Sequence, residues 1–220
     1  MPSPGDRNLA SILTIVLLAW FLIVLAAGAG GLFESGPTRP PLAVLVAVVM
    51  PLLVFGAAYR ASRRFRDFVL AIDLRLLTAF QSWRVIGVVF LVLYAFDLLP
   101  GVFAWPAGVG DAAVGLAAPF VVMAILRRSA AWRRQVVLLN IAGLVDFVLA
   151  IGTGVLASNS AIGVLSGAGA RVSLGSLPLS LIPTFAVPLW TIFHIVSLVQ
   201  LGRTARSVSF SEAATASPSI

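Results

Sequence analysis

The sequence predicts an all-α polytopic membrane protein, a bundle of six transmembrane helices with both termini in the cytoplasm. Three observations carry that prediction. The first is composition. Of 220 residues, 60% are hydrophobic and only 10% are charged, and mean hydropathy is +1.07. A soluble domain carries about 25% charged residues, and a chain this apolar could not cover its own surface in water. The second is segment length. Six stretches, about 9–32, 41–59, 84–104, 107–126, 136–156 and 178–201, are apolar and approach the ~20 residues that cross hydrocarbon. The third is arginine placement. Arg7, the 60–84 connection (Arg60, Arg63, Arg64, Arg66, Arg75, Arg84), the 127–134 connection (Arg127, Arg128, Arg133, Arg134) and Arg203 and Arg206 fall on one side of a six-span chain. Only Arg39 and Arg171 fall on the other. Basic residues concentrate on the cytoplasmic side, so the expected topology is N-in and C-in.

The elements follow in order. Residues 1–8 form a short cytoplasmic N-terminus, and 9–202 the transmembrane domain. Ala27-Gly28-Ala29 has the small residues of a signal-peptidase site. The apolar run before it is long for a signal peptide, and Arg7 is offset by Asp6, so the expectation is a retained span. The second span is short and holds Pro51. Segment 66–83 carries Arg66, Asp67, Asp73 and Arg75, which would cost about 2.5–3.5 kcal/mol each at mid-membrane. Phe65, Phe68, Val69, Ile72 and Leu76 recur there at helical spacing. That pattern predicts an amphipathic helix near 65–82 on the cytoplasmic face, or an extension of the third span. Pro100, Pro106 and Gly108 predict the bend between the third and fourth spans. Residues 158–176, rich in Gly, Ser and Ala, are expected to be a flexible outer loop. Residues 203–220 are expected to be a disordered cytoplasmic tail. Trp20, Trp83, Trp105 and Trp132 lie near predicted helix ends, three of them where interface anchors belong.

Charged groups inside spans are rare and usually face the bundle interior. Here Asp97, Asp111, Asp146 and His194 are candidates for an ion or proton path, with Gln81, Arg84, Tyr94 and Asn140 as supporting polar groups. Gln81, Arg84, Gly87, Tyr94 and Asp97 share one face of the third span by steps of three or seven. Similar stripes contain Gly108, Asp111 and Gly115 on the fourth span, Asn140, Gly143 and Asp146 on the fifth, and Trp190, His194 and Ser197 on the sixth. Asp97 and Asp111 are expected at one outer depth, facing each other across the bend. Structural roles are open to each: Asp111 as a cap at the start of the fourth helix, Asp146 as partner of Arg84 or His194, His194 as a hydrogen-bonded interior histidine.

Absences narrow the chemistry. There is no cysteine, so disulfides and thiolate metal sites are excluded; with no lysine, so is a Schiff base of the retinal kind. A single histidine excludes bis-His haem within one protomer. No phosphate-binding Gly loop, HExxH or GxSxG is present. The sequence calls for no cofactor and no nucleic acid; the net charge of +7 belongs to the cytoplasmic loops, where it meets anionic lipid head groups.

From Gln81 to His194, the stretches QSWRVIGVVFL, LLPGVFAWPAGVGDAAVGLAAP, LLNIAGLVDFVLAIGTG and LPLSLIPTFAVPLWTIFHIVSL carry a resemblance, with PAGxGD and NxxGxxD as its more specific parts. They resemble an uncharacterised family of small bacterial polytopic integral membrane proteins. The resemblance covers roughly half the chain and omits the first two spans. It implies a bacterial cytoplasmic membrane location and supplies no catalytic residues. The leading functional expectation is a proton- or cation-linked transporter or channel-like protein using the intramembrane Asp and His. The alternatives are a non-catalytic scaffold, sensor or complex subunit, including a homo-oligomer, and an intramembrane enzyme or lipid-binding protein using carboxylates with a divalent metal.

Overall fold

A computed structural model describes residues 4–165 and 173–215. All regular structure among them is helical. In chain order the elements are α1 (Pro4–Ala29), α2 (Leu42–Ala61), α3 (Arg63–Leu70), α4 (Leu74–Phe80), a 3₁₀ segment (Gln81–Gly87), α5 (Val88–Ala95), α6 (Gly101–Leu126), α7 (Trp132–Leu156), a π-helical turn (Ile182–Ala186) and α8 (Val187–Thr215). Six helical stretches are long and apolar enough to cross a membrane: Arg7–Ala29, Leu42–Ala61, Leu74–Ala95, Gly101–Leu126, Trp132–Leu156 and Ile182–Arg203. The chain is therefore a multi-pass membrane protein.

Their ends are set by recognisable chemistry. After α1, α5 and α6 the residues Gly31, Asp97 and Arg128 take left-handed φ of 72°, 54° and 48°. In each case the two amides that follow the helix fold back onto its last turn: Leu32 to Ala27 and Gly31 to Gly28, Leu98 to Leu93 and Asp97 to Tyr94, Ser129 to Ala124 and Arg128 to Ile125. This is the Schellman arrangement, which satisfies carbonyls that the helix leaves unpaired. At its opposite end α6 starts after Pro100, whose extended ψ of 139° leads into the first turn.

The bend between the third and fourth spans thus lies at 96–100, not at 105–106. Pro106 is inside α6, where a transmembrane helix tolerates it. The third span shifts inward to match, starting at Leu74 rather than Arg84, so Trp83 sits well within it and is exposed to lipid. The amphipathic helix is correspondingly shorter, Arg63–Leu70 instead of 65–82. Ser62 caps it through its hydroxyl, which accepts from Phe65 N at 3.1 Å. Phe65 packs edge-on against Phe55 of α2. Gln200 of α8 donates to the carbonyls of Leu70 and Ile72, which ties this strap to the bundle. Asp73 then caps α4, accepting from Arg75 N at 2.8 Å. A side-chain hydrogen bond from Arg75 holds the Asp73 carboxyl below the usual carboxylate range. That contribution is present above about pH 4 and is lost as pH falls through the lowered value.

The interior is built mainly by the third to sixth spans. The α6–α7 pair and the 3₁₀ segment against α6 make the closest packing, while α2 rests on α8, the π turn and α3. α1 is peripheral and docks chiefly through Trp20 and Phe21 on Phe185. α8 remains helical to Thr215, past the expected start of a disordered tail at 203. Between Gly202 and Thr215 the sequence holds no proline or glycine to stop it. Residues 216–220 of that tail, and 166–172 of the 158–176 loop, lie outside the described residues.

Because the chain has no cysteine, single cysteines report sidedness cleanly. An impermeant maleimide should label Thr38→Cys and Asn159→Cys from one side of sealed vesicles, and Ala61→Cys and Ala130→Cys only from the other. Labelling of Ala61→Cys and Ala130→Cys from opposite sides would refute six crossings.

Candidate functional site

Arg84 is the centre of the bundle. Its side chain is 0% exposed, and its position follows from local backbone geometry. A 3₁₀ helix has three residues per turn, so side chains at i and i+3 eclipse. Residues Gln81, Arg84 and Gly87 therefore form one buried line down the third span, facing α6. Gly115 of α6 faces this segment, and a Cβ there would strike Val85 N and the Arg84 carbonyl carbon. The glycine lets the two backbones approach.

A guanidinium has five N–H donors and stays charged. Four of Arg84's donor contacts are met by three helices. Nε donates to Asp111 Oδ1 of α6 at 2.8 Å. Nη2 donates to Asp146 Oδ2 of α7. Nη1 meets His194 Nε2 of α8 at 3.1 Å and the Gly143 carbonyl at 3.4 Å. Its Cζ also sits 4.0 Å from the centroid of the Phe147 ring, a cation–π contact.

The histidine tautomer follows from its partners. Asn140 Nδ2 donates to Val136 O at 2.7 Å, which leaves its Oδ1 to accept from His194 Nδ1 at 2.8 Å. Nδ1 therefore carries the proton, and Nε2 accepts from Arg84. His194 orients the arginine, and Asn140 orients His194.

Glycines again make room. A Cβ at Gly143 would strike the His194 imidazole and Arg84 Nη1; one at Gly110 would strike the Asp146 carboxylate; one at Gly87 would strike Asp111. By contrast, nothing lies within 4 Å of a Cβ at Gly152 on the same helix as Gly143.

Of the candidates expected from sequence, the structure joins Arg84, Asp111, Asp146, His194 and Asn140. Asp97 is excluded: it is exposed in the turn and ends α5 by its left-handed conformation. Tyr94 is also outside, 40% exposed, with its ring against Trp105. Asp97 and Asp111 do not share a depth. Asp111 lies about ten residues into α6, some 15 Å from its start, so it is neither an outer-leaflet residue nor a helix cap. Gln81 is buried on the Arg84 line, one turn toward the arginine-rich face, and neither of its amide atoms has a partner. Arg84, treated as a supporting residue by the sequence reading, is the hub. Its signal was the step of three from Gln81 to Gly87 around an arginine that cannot shed its charge.

A cavity of about 320 Å³ reaches this network from the arginine-poor face. It lies between α2 and the α5–α7 wall, and its rim is formed by residues 33–35, 158–159 and 173–175. Phe33, Phe90, Phe103 and Phe147 are among its walls; Asp111, with its side chain 14% exposed, is its deepest charged group. Toward the arginine-rich face a second hollow, lined by Val114, Val121, Arg127, Gln135 and Leu139 among others, includes no residue of the network. There Val114, Ala118, Val121, Val136, Leu139 and Leu201 pack into an apolar plug.

The chain belongs to the family described as Domain of unknown function (DUF8737), which matches residues 41–202. The match spans the second to sixth membrane helices, includes every residue of the Arg84 network, and begins after α1. No curated protein and no solved structure shows significant similarity to the chain.

Two stability measurements test the network. Gly143→Ala should lower the unfolding temperature in detergent, by the ~1–3 kcal/mol typical of overpacking, whereas Gly152→Ala should be near neutral. Arg84→Gln leaves two buried carboxylates without their cation and should cost about 3–5 kcal/mol, as broken buried pairs do. Arg84→Lys should recover little of that, because one ammonium cannot reach the acceptors of three helices.

Proposed function

We propose that this protein is a proton- or cation-linked transporter whose coupling centre is the Arg84–Asp111–Asp146 triad, with the cavity as its access path from the arginine-poor face. The observation that carries this reading is a charge count. One arginine faces two carboxylates, and the only other titratable partner among the described residues, His194, accepts a hydrogen bond as the neutral ring. With both carboxylates ionised the centre holds one net negative charge at mid-bundle. Net charge in hydrocarbon surroundings is costly. One proton or one monovalent cation restores neutrality, and Asp111 is the member that the cavity reaches.

The geometry supports two states as well as one site. Access from one face with an apolar plug toward the other is what alternating access requires of each end state. The 3₁₀ segment that carries Arg84 is a short, less favourable helical geometry of the kind found at hinges. Its conversion to α-helix would rotate Gln81 and Arg84 relative to Asp111. The unpartnered Gln81 amide, which costs on the order of 1–3 kcal/mol while buried, would be relieved in a state that pairs it. Neutralising Asp111 loosens its hold on Arg84, so uptake and hinge movement are coupled through that one ion pair. Anionic lipid head groups would bind the opposite, arginine-rich face, where Arg63, Arg64 and Arg66 of the α3 strap lie.

Proteoliposomes carrying a pH-sensitive dye test the proposal. The wild type should dissipate an imposed proton or cation gradient. Asp111→Asn should reduce the flux at least tenfold, while Asp97→Asn, which keeps the turn and lies outside the network, should not. Flux that survives Asp111→Asn in full, or no flux from folded wild type, would overturn the transport reading and favour a scaffold or sensor.

A further inference from the structure

We infer that the cavity above Asp111 binds a hydrophobic organic cation, a monovalent cation on an apolar body, which competes with the proton for the triad's single negative charge. This deepens the transport reading by naming its substrate class, and it rests on that reading for movement though not for binding.

Three properties of the cavity point to this chemistry. Its walls are chiefly aromatic and aliphatic: Phe33, Phe90, Phe103 and Phe147 with Ile151 and Leu179. Phenyl faces attract cations as well as apolar bodies. Its charged lining among the described residues is of one sign, Asp111 at the floor and Glu34 at the rim, with no arginine. Its volume, about 320 Å³, is within the roughly 300–1,000 Å³ of small-molecule pockets and far above what a bare ion needs.

Other ligand classes fit less well. A hard divalent ion wants six or more oxygen ligands, yet among the described residues no group of three His, Asp or Glu converges. An anion would meet two carboxylates. A neutral apolar molecule would fill the walls and leave the triad's charge unanswered.

Competition with the proton follows from the count. The groups that face Asp111 are Arg84 from the third span, Asp146 from α7 beyond Arg84, His194 of α8 held through Arg84, and Glu34 at the rim. Glu34 is exposed at the rim and stands outside the buried count; either a proton on the carboxylate pair or a cation beside Asp111 brings the Arg84–Asp111–Asp146 triad to neutrality, and both together would leave it positive. Binding of one cation therefore releases one proton, and affinity should weaken roughly tenfold per pH unit on acidification wherever the proton competes.

Tetraphenylphosphonium and tetraphenylborate, matched in shape and opposite in charge, are the probes for the full chain in nanodiscs. Titration calorimetry should show saturable tetraphenylphosphonium binding at one site per protomer, proton release on binding, and at least tenfold weaker tetraphenylborate binding. Asp111→Asn should lose the preference for the cation. Because that change also releases Arg84, Ala150→Phe supplies an independent variant. It fills the cavity from α7, alters no residue of the ion pairs and should weaken tetraphenylphosphonium at least tenfold. Equal binding of the two probes, no saturable binding, or full affinity in Ala150→Phe would overturn the inference. The outcomes also separate it from the transport reading. Cation binding with proton release but no flux in vesicles upholds the site and defeats transport, whereas proton flux without tetraphenylphosphonium binding does the reverse.

Discussion

A guanidinium is a fixed positive charge in proteins, and the chain places one, on Arg84, in the middle of a membrane bundle. Water is not there to solvate it, so protein must. A guanidinium satisfies its donors only if acceptors arrive from several directions in its plane. Asp111, Asp146, His194 and the Gly143 carbonyl do so from α6, α7 and α8, and the Phe147 ring covers the guanidinium. Registers of four spans are thereby fixed at one level. Without apolar attraction between helices in lipid, such fixed polar contacts and close van der Waals packing are what select one arrangement of a bundle.

The cost of that arrangement appears in the backbone. A regular α-helix would not align Gln81, Arg84 and Gly87; the 3₁₀ segment does. Gly87, Gly110, Gly115 and Gly143 clear the space that arginine, histidine and carboxylates occupy. On the sixth span, the π turn at Ile182–Ala186 lies just before Pro188, which has no N–H to donate into the preceding turn. The wide turn sets the rotation of α8, and with it the direction of His194. These irregular segments border the network or the cavity.

Charge is the asymmetry that gives the centre chemical meaning. A triad with one cation and two anions is balanced only with a further positive charge, and the cavity reaches the less enclosed of its two carboxylates. The other carboxylate, Asp146, has a side chain 6% exposed against 14% for Asp111 and pairs with Arg84 from α7. In the proposed reading Asp146 would anchor Arg84 and Asp111 would exchange its partner, because the cavity is lined by Asp111 and not by Asp146.

Hydropathy and arginine spacing were enough to read six crossings, the amphipathic character of the strap at 63–70, and the presence of polar groups inside the bundle, because each is a property of a short window of residues. Composition likewise settled the membrane class. The position of the bend was misread because Pro106 and Gly108 look like breakers, while the true stop is an aspartate. Asp97 ends α5 by accepting a left-handed conformation, for which no hydropathy window gives a sign. That error moved the third span by about ten residues, put Asp111 at the wrong depth, and placed Asp97 inside a span rather than in the turn that ends it. The centrality of Arg84 and the shared level of Asp111, Asp146 and His194 depended on helix rotation, and rotation is set by contacts among residues far apart in the chain. Sequence alone determined that ionisable groups lie within the membrane; only tertiary packing decided which of them meet, since a few degrees of turn about each helix axis separate an ion pair from a residue facing lipid.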